Sequence, residues 1–559
     1  MRYNKFLPLA LLVVVLAVAQ GATAQEHKHV EVTTLYNPEV ATATKLVAPA
    51  SVADSSELEP EIEYGINTNT WQLKLTDHYF KPAAASYWDF DRAKHFYARL
   101  GGGYPLGSEA TLRYMTQNVR LGYFGVGVTH DGGYAPKCSA LGVERLGAHS
   151  YDLRNELSLI GGVFVGCQML EVDANYDFDI YNRYAEVAET PDRLYFHDGD
   201  IVVRYGDSFA DLHRLNFGIE LRGGYWRHAY NTGTCRVSPV PEFNGGGSVR
   251  LARAFNRSVV EVRAGYDMWQ QLSTSYRDMR FDVQVGYRRG FGFVDLEASL
   301  GYMYDRVRDR AKASHFVMPG VKAMFNLGLE AVVPYVELAT TVSQNGVASL
   351  CARNPYLDFV AMKDRLLTMP NTRNYDLSLG AVGSVSHERL SYRAYVGANF
   401  MRDQVVWYVL DNGNFGVDTG DNNRIFFGVE LDYAPVGGLV LSARYRMHAD
   451  NSTAKYAVDA ARMSGEFKVE YMLKRWKFYV LGDLMGSRRW SSELMVNGEG
   501  STVFKSPTTL DLRAGVSFKA SRSVEVYADG YNLLNSTIYD YAYYYRNGVG
   551  FMAGVKIDF

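Results

Sequence analysis

Residues able to do covalent chemistry are few in this chain and widely spaced. His213 and His448 fall singly on the polar side of alternating stretches, with no serine or cysteine spaced to make a nucleophile and base pair. They read as solvated histidines. The run "HKH", His27 to His29, reads as a mobile terminus and not as a metal site. "DNGNFGVDTGDNN", Asp411 to Asn423, is rich in oxygen ligands but lacks the terminal bidentate Glu of a calcium loop, so it reads as a surface loop. Of the four cysteines, Cys138, Cys235 and Cys351 lie in polar stretches and Cys167 in a strand-like one, without the paired spacing of a zinc site. They read as scattered thiols, with a loop disulfide as the alternative in an oxidising compartment. No catalytic, cofactor or metal set emerges, and an enzyme is not expected. What remains is fixed charge: Glu220, Arg222, Arg393, Arg444, Arg446 and Arg513 all sit on the polar side of alternating segments. Groups of that kind attract and steer ions.

Charges placed in this way need extended elements. "LDLRAGVSF" sets Leu510, Leu512, Ala514, Val516 and Phe518 on one face against Asp511, Arg513, Gly515 and Ser517 on the other, which is period two and not 3.6. The same alternation recurs in "LNFGIELRG" from Leu215, "FDVQVGY" from Phe281, "LSYRAYVGANF" from Leu390, "IFFGVELDY" from Ile425 and "LVLSARYRMH" from Leu439. These segments approach the ~9 to 11 residues that a tilted strand needs to cross a bilayer. Their connections alternate between short turns, such as Gly161-Gly162, Asn256-Arg257 and Lys474-Arg475, and long polar stretches at 131–147, 178–194, 229–243, 346–372, 403–420 and 488–506. Turns at one end and loops at the other predict an all-β, antiparallel transmembrane barrel with its loops outside. The tally is about 22 strands, within a range of 16–22, over residues 92–559. Trp226 and Trp269 at the loop ends, and Trp476 and Phe518 at the turn ends, are expected to form two aromatic girdles.

The termini agree with export. Arg2 and Lys5 precede an apolar run from Leu7 to Ala19, and Ala22-Thr23-Ala24 then forms a small-residue cleavage site, which makes residues 1–24 a signal peptide. Residues 25–91 form an extended segment expected in the periplasm or the barrel lumen, since "EIEYGINTNTWQLKL" from Glu61 is too apolar for a pure linker. At the other end, "GFMAGVKIDF" places Phe551, Ala553, Val555, Ile557 and Phe559 on one face of a last strand. Composition fits: 41 Tyr and 52 Gly against 16 Pro favour strands and turns, and a net charge of -3 gives no footprint for nucleic acid.

A family resemblance adds to this. "VEVYADGYNLLNSTIYDYAYYYRNGVGFMAGVKIDF" resembles the last two strands of a TonB-dependent receptor, with Asn532, Leu533, Leu534 and Asn535 as the tetrad that closes the penultimate strand. Gly554, Ile557 and Phe559 match the terminal signal read by the barrel-assembly machinery, while Met552 stands where that signal prefers a polar residue. "LYNPEVATATK" from Leu35 and "ARLGGGYPLGSEATLRYMTQN" from Ala98 resemble Gram-negative barrel proteins that carry receptor-type barrels without the usual plug. Residues 25–91 are too few for that plug, and "EVTTLY" from Glu31 is a degenerate match to the TonB box. The resemblance implies a 22-stranded barrel in the outer membrane of a Gram-negative bacterium. Expected contacts are outer-membrane lipid, the assembly machinery and other outer-membrane proteins. Two functions are implied: a channel or transport component, or a structural or accessory subunit of an assembly or export complex.

Overall fold

A computed structural model describes residues 95–116, 121–134, 152–182, 193–232, 235–237, 241–271, 277–307, 314–328, 331–385, 389–493 and 502–559. The signal peptide, the segment 25–91 and Cys138 lie outside the described residues. Twenty-two antiparallel strands make one wall, from Phe96–Tyr104 to Gly550–Asp558. Each pairs with its neighbours in sequence, and the last closes on the first from Tyr97↔Asp558 to Tyr104↔Phe551. Closure leaves no sheet edge exposed at that join. No described helix is long and apolar enough to cross a membrane; the crossing elements are strands.

The alternation decides what each face meets. In the pair Trp476–Met485 and Thr509–Lys519, the register sets Trp476, Phe478 and Val480 beside Phe518, Val516 and Ala514 on the outside. Around the wall the outer positions are apolar and exposed, reaching 61 % at Leu300 and 66 % at Ile425. The other face carries the charges. An apolar exterior on a closed barrel is the arrangement a bilayer requires, because lipid supplies no partner for a polar side chain.

The chain ends are locked at the turn side. Phe96 N–H donates to the Phe559 carbonyl at 2.8 Å, Phe559 N–H donates to the Phe96 carbonyl at 3.0 Å, and their rings lie 5.0 Å apart. Trp476 and Phe518, with ring centroids 4.6 Å apart, lie at the same end of the wall. Deleting Phe559 is expected to lower the amount of folded, heat-modifiable barrel in the outer membrane; wild-type amounts would count against an assembly role for this residue.

Before the last strand, the Asn532 to Asn535 tetrad builds a compact turn. Asn532 and Asn535 adopt left-handed backbone with φ of 46° and 52°, a region in which asparagine is among the better-tolerated residues. The Asn532 amide donates to the carbonyls of Ser536 and Asn547, and its Oδ1 accepts from Ser536 N–H at 2.9 Å. The Asn535 side chain accepts from Val549 N–H at 3.2 Å. The tetrad thus ties both ends of the final loop together.

Six expectations need correction. Gly161-Gly162, read as a turn, is paired inside the strand Asp152–Val165, and Cys167, read as strand-like, is exposed in the turn that follows it. The strands Leu390–Val409 and Phe415–Tyr433 run through most of the stretch read as loop 403–420, and Phe415, read as surface, is fully buried. Stretch 346–372 folds into two short helices, α1 (Val347–Arg353) and α2 (Lys363–Thr368), and not an open polar loop. Trp226 and Trp269 are buried on the inner face, in register with Glu220 and Asp267, so only the turn-end girdle stands as expected. Cys351, read as lying in a polar stretch, is buried in α1.

Candidate functional site

Lumen charges come from alternate positions of neighbouring strands, so strand register decides which of them meet. Arg222, on the strand Asn216–Thr232, donates to Asp267 Oδ1 through Nη2 at 2.6 Å and Nε at 3.0 Å. Arg280 donates to the other oxygen of the same carboxylate at 2.7 Å. Glu220 pairs with Arg204 at 3.3 Å, and Arg204 reaches Glu171 at 2.8 Å. Arg513 pairs with Asp511 at 2.6 Å and lies 3.5 Å from Asp483. Arg393 donates to the Tyr335 hydroxyl at 3.1 Å and stands 3.9 Å from Glu430. Arg444 faces Glu466 at 3.8 Å with both side chains well exposed, and the Arg446 guanidinium lies 4.6 Å from the centre of the Phe426 ring. His448 lies beside Asp450, which Arg424 also holds. The sequence named the arginines and missed Asp267, Glu171, Arg204 and Asp450. All four lie on the same alternating face, but pairing between strands is not written in either strand alone.

Charge is unevenly distributed round this wall. Glu156, Asp177 and Asp198 are consecutive cross-strand partners on the inner face of three neighbouring strands, with Asp200 one pair along. Like charges directly opposite one another destabilise a sheet. Arg393, Arg424, Arg444 and Arg446 lie half-way round the 22-strand circle. An acidic arc and an arginine-rich arc therefore face each other. Among the described residues no set of His, Cys, Asp and Glu is arranged to hold a metal ion.

The loop end carries a second structure. Leu194, Phe196 and Trp226 from one side of the wall join Val405, Trp407, Val409, Phe415 and Val417 from the long hairpin nearly opposite in a single buried cluster. Helix α1 contributes Val347, Leu350 and Cys351, the i, i+3, i+4 positions of its one apolar face. Trp490, Ala542 and Tyr544 add the last two loops. Directional bonds fix the pieces. Glu242 accepts the Val347 N–H at the start of α1, and the Tyr541 hydroxyl donates to the Arg353 carbonyl at its end, each supplying a partner that a helix terminus lacks. Phe415 pairs with the 356–358 segment through its N–H and carbonyl, Tyr356 stacks on Tyr544 at 3.8 Å, and Arg488 donates to the Asp540 carbonyl at 2.7 Å. Burial pushes the Cys351 thiol well above its ordinary range, so it is a neutral packing group and not a nucleophile. Together these loops form a folded cap that bridges the mouth from opposite sides of the wall. Each piece has its own local period, but what brings the pieces together is tertiary packing, which is why the sequence did not reveal the cap.

Known structures share this wall. The copper transporter OprC superposes with a TM-score of 0.61 at 13% identity, covering 84% of this chain and 81% of that one. This chain has the receptor-type outer-membrane barrel fold. The ferripyoverdine receptor FpvA of Pseudomonas aeruginosa gives 0.62 at 10% identity over 84% of this chain and 72% of its own, and the ferric-catecholate import receptor Fiu of E. coli gives 0.60 at 9% over 84% and 82%. At such identities the likeness carries the fold, and each neighbour's cargo belongs to that neighbour. No protein-family model and no curated protein sequence matches the chain. The comparison with known structures therefore rests on the 22 strands and their closing ladder.

Proposed function

We propose that the receptor-type barrel is a transport component of the outer membrane, a polar passage for charged or dipolar solutes whose mouth the cap holds shut. The observation that carries this reading is the inner wall, where Glu156, Asp177 and Asp198 stand directly opposite one another while Arg393, Arg424 and Arg444 across the lumen are each matched by a carboxylate, so the acidic row dominates the local field. Glu220, Arg222, Arg393, Arg444, Arg446 and Arg513 tune that field through their carboxylate and tyrosine partners. A row of three facing carboxylates is unfavourable for the sheet alone, so a gain in ion handling accounts for it best. Planar-bilayer recording tests the reading. Wild-type barrels should conduct rarely, and a cap-opened variant should conduct steadily with a preference for cations. In that background Asp177→Asn with Asp198→Asn should shift the reversal potential toward anions without lowering thermal stability. An unchanged reversal potential would remove the acidic arc from the mechanism. The density of the cap core favours a second reading, an accessory subunit of an outer-membrane complex that works with its mouth shut. Stable partners retained after gentle detergent extraction, with no conductance from the cap-opened barrel, would select it.

A further inference from the structure

One join in the wall differs from its neighbours. The strand Ser314–Phe325 pairs with Val294–Arg306 along its whole length, from Val294↔Phe325 to Asp305↔Ser314. The strand Val333–Ser343 likewise pairs with Thr372–Val385 from Val333↔Val382 to Ser343↔Thr372. Between Ser314–Phe325 and Val333–Ser343 themselves, however, the ladder holds four pairs only, Val321↔Leu338 to Met324↔Tyr335, all at the turn side. The break has a local cause. Continuing the register would set Pro319 opposite Thr340, and a proline has no N–H to give to a ladder. The Thr340 hydroxyl instead donates to the Pro319 carbonyl at 2.7 Å. From there to the loop end the join rests on side chains. Val342 packs against a buried cluster of Met303, Phe316 and Met318, and the Arg373 guanidinium lies 5.5 Å from the centre of the Phe316 ring.

Two properties coincide at this join. The outer face is apolar as elsewhere, with Val317 and Val321 exposed. On the inner face the loop-side half is built from Met303, Phe316 and Met318, while the turn-side half sets Met324, Val333, Tyr335 and Val382 around the ion pair Lys322–Glu337, 3.9 Å apart across the join. Opening a barrel wall ordinarily exposes backbone N–H and C=O groups to hydrocarbon, which is heavily penalised. Here fewer ladder bonds need to break, and the groups that move are unbranched, adaptable methionines and a ring.

We propose that the loop-side half of this join is a lateral portal, through which a molecule bearing an acyl chain passes between the barrel interior and the loop-side half of the membrane. The portal names an amphiphile as cargo for the passage proposed above and so rests on that reading, but its test requires no conductance. The full chain carrying Phe316→benzoylphenylalanine is placed in nanodiscs of phospholipid with an alkyne-tagged acyl chain and irradiated. The tagged chain should attach at 316 about tenfold more than at the inner-face control Glu220→benzoylphenylalanine, where charged wall excludes it. A disulfide staple across the join, Met318→Cys with Val342→Cys, whose side chains pack in one cluster, should abolish the adduct at 316, and reduction should restore it. Adduct equal to the Glu220 control, or undiminished by the staple, overturns the portal. If the 316 variant fails to show heat-modifiable folding, Met303→benzoylphenylalanine reads the same surface. A barrel that conducts no ions yet yields the stapling-sensitive adduct would retain the portal and sink the ion-passage reading, so the two fail separately.

Discussion

Replacing Trp490 by alanine should open the mouth of the barrel while leaving its wall intact. Trp490 is fully buried, on the short strand Arg489–Ser492 that pairs with Thr502–Lys505 and lies parallel to Tyr408 and Val409 of the long hairpin. Phe504 lies 5.8 Å from its ring, and the Arg488 guanidinium 4.5 Å from the ring centre. Removing a buried indole typically costs about 3–5 kcal/mol, lost transfer energy plus the cavity left behind. That loss falls on the cap, because the wall is held by its ladder and not by this cluster. Two measurements should move together: steady single-channel conductance where the wild type is mostly closed, and faster proteolytic cleavage within 346–372 or 488–506. Heat-modifiable migration of the wall should persist. Cleavage without conductance would mean that something other than this cap closes the passage.

The second large effect is expected at the closing join. Gly554 faces Gly101 across it, and a Cβ at Gly554 would run into the Leu100 carbonyl and the Tyr527 hydroxyl. Tyr527 cannot withdraw freely, since its hydroxyl donates to Glu109 and the Arg99 guanidinium lies 4.6 Å from its ring centre. Gly554→Val should therefore prevent the first and last strands from pairing and lower the yield of folded barrel several-fold or more, a loss larger than most single substitutions produce. Ile557→Val is the matched control. Ile557 lies on the outer face opposite Ala98 and Val524, so losing one methylene there should leave the yield near wild type. Equal yields from the two variants would mean that the glycine is not required for closure.

The wall was legible in the sequence because a barrel strand writes its environment into a period of two. Leu510 to Phe518 and Phe551 to Phe559 needed only alternation to be placed, and alternation also put all six of the named charges on one side of their strands. Their partners were hidden for a physical reason: Asp267 meets both Arg222 and Arg280 through the register of four strands, which a single strand does not encode. Trp226 and Trp269 show the limit of composition. An aromatic near a strand end suits a lipid interface or a buried cluster equally well, and here its parity with Glu220 or Asp267 decides for the inside. The cap lay further out of reach, because Val347, Trp490 and Tyr544 come together only through tertiary packing.

The cap also bears on the order in which the molecule forms. Its core joins Leu194 and Trp226, from the early strands, to Ala542 and Tyr544, which immediately precede the last one. Contacts of such long sequence separation become favourable only after the intervening chain has been organised, because loop closure must come first. Each wall ladder, by contrast, joins neighbours in sequence and can grow one hairpin at a time, apart from the final join. The mouth is thus expected to be the last region to gain hydrogen-exchange protection during refolding and the first to lose it on warming, with the barrel passing through a stage at which its wall is complete and its entrance unsealed.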